Sequence, residues 1–140
     1  MERKHFTVEE ANRMLPLLRD VVGTIQDRLE WLGAHRPRFE FMVEKHRIPV
    51  ESPVSPAYFE RLVEVRNALG ELESLGCQLK DVRQGLVDFP ARLFGRNVLL
   101  CWSLGEESVS HYHDPEAGFA GRQPIPRNDD PGDEPRGEDI

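Results

Sequence analysis

"GLVDFPARLFGRNVLLCWSLGEESVSHYHD", residues 85–114, is the stretch whose reading decides the fold. Its apolar residues recur with a period near two, are rich in β-branched and aromatic types, and are punctuated by Gly95 and Gly105. That pattern marks short strands joined by tight turns. The segment predicts an antiparallel β-meander with strands at about 86–91, 97–104 and 108–114. Pro90 has no N–H to donate, so the first strand is expected at an edge. Gly95-Arg96 is assigned to the first turn, where a strict two-residue turn pairs Phe94 with Asn97; a slip of one residue changes every side chain's face.

The second turn controls where the chemistry lies. Gly105-Glu106 reads as a two-residue turn with glycine first, pairing Leu104 with Glu107 and Cys101 with Ser110. A longer loop would pair Leu104 with Ser108 and set Cys101 opposite His111. The expected two-residue register sends Cys101 to the face away from His111 and His113. Both histidines then share a face with Val98, Leu100, Trp102, Leu104 and Val109, the face expected to meet the helices. Leu99 and Tyr112 remain on the outer face.

Working outward towards the N-terminus, two amphipathic helices precede the meander. Thr7 and Glu10 form a Thr-x-x-Glu capping box. Behind them Ala11, Leu15, Leu18, Val22, Ile25, Leu29 and Leu32 fall at alternating spacings of four and three, a heptad seam running to a stop at Gly33. Pro16 lies inside the pattern and predicts a kink near the start. The second helix is expected to begin at Ser55-Pro56 and run to Leu75, with a seam at Tyr58, Leu62, Val65, Leu69 and Leu72. Gly76 then ends it in a left-handed cap that folds Cys77 back towards Leu72. Residues 34–54 are too many for a structureless loop, and Phe39, Met42, Val43 and His46 suggest a short helix or an extension of the first one. The fold class expected is α+β: an antiparallel two-helix hairpin, about 7–33 and 56–75, packed on a three-stranded antiparallel meander. Residues 1–125 make one domain.

Composition narrows the classes of function. The formal net charge is -7, and residues 127–140 hold six acids against two arginines with Ile140 as their one apolar side chain. Such a tail, about 126–140, is expected to be disordered. Basic residues elsewhere are interleaved with acids, so no stripe suited to a nucleic acid emerges. No apolar run is long enough for a membrane span, and "MERKHFTVEE" has no apolar core of a secretion signal. The expected compartment is the cytoplasm, with Cys77 and Cys101 as reduced thiols.

Three separated motifs, "FTVEEANRMLPLL", "LGCQLKD...GLVDFPA" and "LLCWSLGE...HYHDPEAGFAGRQPI", resemble the bacterial family catalogued as domain of unknown function 2203. The resemblance spans roughly residues 5–125. It implies positions rather than an activity: Asp88, Glu106, His113 and Arg122 match the family pattern, whereas His111 stands where an aromatic is usual.

The candidate site residues are His113, His111, Glu107, Glu106, Asp88 and Arg122. Residues two apart on a strand share a face, so His111 and His113 can reach one ion, and zinc or another divalent metal takes about four such ligands. The expected register excludes Cys101 from that set, and there is no CxxC or HExxH spacing. His113 is expected either to hydrogen-bond a neighbour such as Asp114, Glu116 or a backbone carbonyl, or to stand as a partly buried imidazole beside Glu107 or Asp88, able to bind a metal or small ligand or to move a proton. "GFAGR" reads as a glycine-permitted turn that packs Phe119 over the sheet, with Arg122 paired to Asp88 or Glu106. Against this site stands the leading expectation, a non-catalytic interaction module whose helical seams bind a second copy or another protein.

Overall fold

In a computed structural model that describes residues 5–44 and 54–126, the chain is α+β, with helices packed on one face of a five-stranded antiparallel sheet. The order is α1 (Val8–Arg13), α2 (Leu15–Glu44), α3 (Val54–Leu75), β1 (Gln78–Asp81), β2 (Leu86–Leu93), β3 (Arg96–Ser103), β4 (His111–His113), a 3-10 turn at Phe119–Gly121 and β5 (Gln123–Pro124). Neighbours in sequence are neighbours in the sheet.

The first helix begins as expected. The Thr7 hydroxyl accepts from Glu10 N–H at 3.0 Å and the Glu10 carboxylate accepts from Thr7 N–H at 3.0 Å. Pro16 produces a full break rather than a kink: α1 closes at Met14 and α2 restarts at Leu15, so Pro16 falls in a first turn, where its missing N–H has no partner to lose. Gly33 does not stop the helix, which continues to Glu44 and so takes the extension that the 34–54 segment suggested. The rest of that segment, residues 45–53, and the acidic tail beyond residue 126 lie outside the described residues. α3 starts at Val54. It ends as expected, with Gly76 at φ 92 and the Cys77 thiol 3.8 Å from the Leu72 carbonyl.

α2 and α3 run antiparallel, as the Arg28–Glu64 hydrogen bond at 2.7 Å and the Trp31–Tyr58 ring contact show. Leu15, Leu18, Val22 and Ile25 from the helices meet Val87, Phe89, Val98, Leu100, Trp102 and Tyr112 from the sheet in one core. The seams are only partly used. Leu29, Leu62 and Leu69 are exposed, and Ala68 takes a buried place on α3.

Two strands were absent from the three-stranded expectation. β1 is four residues and β5 two, too short for a periodicity to register. With β1 alongside, β2 is an inner strand. β1 nevertheless stops at Gln78, opposite Asp88, so Pro90 lies past its end, and the Pro90 carbonyl accepts from Phe6 N–H at 2.7 Å. The β2–β3 turn is Phe94-Gly95, both left-handed at φ 58 and 75, pairing Leu93 with Arg96. The expected Gly95-Arg96 turn is therefore corrected by one residue. Two successive left-handed residues match the natural twist of a hairpin, which a turn with only Gly95 left-handed would not.

Candidate functional site

The register between β3 and β4 overturns the expected second turn. Cys101 pairs with His111, Leu100 with Tyr112 and Leu99 with His113. Residues 104–110 form a longer connection whose form is set from outside: the Asn12 side chain in α1 accepts from Val109 N–H at 2.7 Å, and Val109 is buried in the core. A turn motif read alone could not anticipate that tether. The consequence follows from the period of two. Trp102, Leu100 and Tyr112 face the helices, while Cys101, His111 and His113 share the opposite face with Leu99 and, across β2, with Asp88. The expectations that the histidines end the helix-facing apolar surface and that Tyr112 lies outside are both wrong.

This outer face is not bare. Residues 115–122 fold back over it, with Ala117 N–H donating to the Asp114 carbonyl at 2.9 Å and β5 pairing with β4. Under that cover lie Asp88, 1% exposed, His113, 3% exposed, and Cys101, 0% exposed. His113 Nδ1 is 2.8 Å from the Asp114 carbonyl, and Nε2 is 3.2 Å from Asp88 Oδ2. A carbonyl only accepts, so Nδ1 carries a hydrogen and Nε2 faces the carboxylate. One proton lies between Nε2 and Oδ2, on whichever of the two atoms donates.

Asp88 Oδ1 is buried and has no hydrogen-bond partner among the described residues. Burial pushes the Asp88 carboxyl above its ordinary range, and His113 offsets part of that. The Cys101 thiol is pushed up to about 12, first by burial and next by the Asp88 charge. A thiol so protonated and so enclosed is not a nucleophile. Nor is the arrangement that of a nucleophile, base and orienting acid, because His113 spends its two nitrogens on Asp88 and a backbone carbonyl.

Ligand geometry fits better. One donor atom from each of Asp88, Cys101 and His113 lies within 4.8 Å of the others. Tetrahedral zinc with ordinary Zn–N, Zn–O and Zn–S lengths sets its ligand atoms roughly 3.3–3.6 Å apart. The Asp88–His113 separation already matches, and the set closes by roughly 1 Å through side-chain rotation. The Nδ1–H bond to a carbonyl is the usual outer support of a ligating imidazole.

The other predicted residues divide. Glu106 and Arg122 pair with each other, Nη1 to Oε2 at 3.0 Å and Nη2 to Oε1 at 3.1 Å. Glu106 also accepts from Ser103 N–H at 2.8 Å, and its own carbonyl accepts from Trp102 Nε1 at 2.9 Å. Burial alone would raise Glu106, but the Arg122 hydrogen bonds and the Ser103 N–H outweigh it and hold the carboxyl below its usual range. The pair closes the β3 end and anchors the covering segment; it is not part of the ligand set. Arg122 also lies 4.7 Å over the ring of Phe119, which stays exposed rather than packing down on the sheet. His111, on the sheet row next to Cys101, turns aside and meets the Ser110 hydroxyl at 2.9 Å. Glu107 is exposed, and its carbonyl accepts from Arg19. Cys101 is the residue that the sequence reading left out, and its signal was the longer-loop register.

A cleft of about 380 Å³ opens above the cluster, with Asp88, His113, Leu86, Leu99, Lys80 and residues 115–119 on its walls. Among the described residues no helix is long and apolar enough to cross a membrane.

Comparison with known families matches the one described as "Uncharacterized conserved protein (DUF2203)" over residues 4–125. That span takes in the helices, the whole sheet and every residue of the cluster. Searches among curated proteins and among solved structures return no match. The chain belongs to the DUF2203 family.

Proposed function

We propose that this DUF2203 chain is a metal-binding protein whose centre is Asp88, Cys101 and His113, holding zinc or another divalent ion of similar softness. One observation carries the reading: Asp88 Oδ1, a buried carboxylate oxygen with no hydrogen-bond partner among the described residues, sits in a three-donor cluster partly covered by residues 115–122. An unpaired buried polar atom costs free energy, and a bound cation removes that cost. A thiolate, a carboxylate and a neutral imidazole neutralise a divalent charge, and sulfur among the donors favours zinc over magnesium or calcium. Loading releases the Cys101 thiol proton and the proton shared by Asp88 and His113, so apparent affinity rises with pH.

Elemental analysis of protein purified without chelator tests the reading. Near-stoichiometric zinc, absent from Cys101→Ser and from Asp88→Asn, is the expected result. Metal content unaltered in both variants overturns it.

A second reading rests on a different part of the molecule. Leu29, Phe59, Leu62, Val63 and Leu69 are large apolar side chains exposed on α2 and α3. They suit the helical hairpin as a surface for a second copy or a protein partner, since monomers seldom leave large apolar patches uncovered. Sedimentation decides: a dimer that becomes a folded monomer on Leu29→Lys with Leu69→Lys supports this reading, and an unaltered mass in the variant removes it.

A further inference from the structure

Resting on the metal reading above, we infer that the centre keeps one coordination position open to the cleft and binds there a small organic monocarboxylate. Among the described residues the cluster offers three donors, one fewer than a tetrahedral ion needs. Asp88 and His113 reach the cleft wall, whereas Cys101 lies beneath it and is fully buried. An ion on these donors is held from the sheet side, and its remaining position faces the cleft. Structural zinc sites are closed by four protein ligands; a fourth position left free is the mark of a site that takes a ligand.

The walls say what that ligand is. Lys80 stands on the cleft near enough to act on the Asp88 charge, and among the described residues no acid forms an ion pair with it. The Lys80 ammonium is exposed at the cleft and so is left to attract an anion. One oxygen of a carboxylate takes the open position and the other accepts from Lys80, a charge-assisted bond. Leu86, Leu99, Pro115, Ala117 and Phe119 line the cleft between its polar groups and leave room there for the short body of a small ligand. Glu116 is the remaining charged group on the wall, and its carboxylate repels a second negative charge. That disfavours phosphate and dicarboxylates and selects a single carboxylate.

Full-length protein loaded with cobalt in place of zinc gives a visible spectrum that reports both steps. A thiolate-to-cobalt band shows loading, and a shift of the ligand-field bands shows occupation of the open position. Butyrate is expected to shift those bands to saturation, with succinate and phosphate weaker. Lys80→Gln should keep cobalt at one per chain yet need about tenfold more butyrate, the loss expected for one charged hydrogen bond. Glu116→Gln should narrow the gap between succinate and butyrate. A thiolate band with no response to butyrate overturns this inference and leaves the metal reading intact, as does an equal butyrate response in Lys80→Gln. Absence of the thiolate band overturns both. A response to phosphate stronger than to butyrate overturns the choice of carboxylate.

Discussion

His113 carries two different loads, and separating them is the first task for mutagenesis. Its Nε2 contact with Asp88 ties β4 to β2 across β3, and its Nδ1–H fixes the start of the covering segment at Asp114. Removing the imidazole leaves the Asp88 carboxyl buried without its hydrogen-bonded partner, so His113→Ala should cost about 3–5 kcal/mol in urea unfolding. Cys101→Ser keeps that pair and removes only the soft donor, so its cost should stay below about 1.5 kcal/mol in the absence of metal. Equal losses in the two variants would mean that the thiol, not the ion pair, holds this layer. The thiols also set a pH dependence. Folding raises Cys101 from 9.0 to about 12 and Cys77 from 9.0 to about 11, both mainly by burial. The folded chain therefore keeps protons that the unfolded chain loses above pH 9.0, and stability falls as pH rises from there towards 12. For Cys101 the fall is on the order of 4 kcal/mol when complete. Metal-free Cys101→Ala should show a visibly shallower alkaline loss in thermal melts, and an unchanged slope would contradict the burial argument.

At the scale of elements, one glycine places the whole ligand row. Gly85 is left-handed at φ +65 and opens β2, three residues before Asp88; its carbonyl accepts from Leu104 N–H at 3.0 Å. A Cβ there would stand 2.6 Å from Leu104 Cβ. Backbone strain and overpacking add, so Gly85→Ala should lose about 2–4 kcal/mol, read as a lower urea midpoint. A loss under about 0.5 kcal/mol would show that the strand start yields easily, against the argument that this junction is rigid. Elements were also where the sequence was most legible. The Thr7–Glu10 box, the Gly76 cap and the central strands are local signals, each complete within a few residues. What escaped was non-local. The β3–β4 register depends on Asn12 reaching Val109 from nearly a hundred residues away, and that register alone moves Cys101 from the wrong face to the ligand set. Tyr112 and His113 exchange faces for the same reason.

Across the whole molecule, the two faces of the sheet divide the work. One face meets the helices in a continuous apolar core, and the other carries a polar row that, among the described residues, the 115–122 segment covers. The individual donors Asp88 and His113 were legible from residue type and spacing, and their convergence was not, because a cross-strand cluster is a property of sheet order. Glu106 and Arg122 were legible as a pair but belong to the frame around the centre. Zinc-edge X-ray absorption of the loaded full-length protein probes the Asp88–Cys101–His113 centre itself, since it counts donors by element and distance. One sulfur at about 2.3 Å together with nitrogen and oxygen at about 2.0–2.2 Å is the predicted first shell. A shell of oxygen and nitrogen alone, with no sulfur, would contradict it.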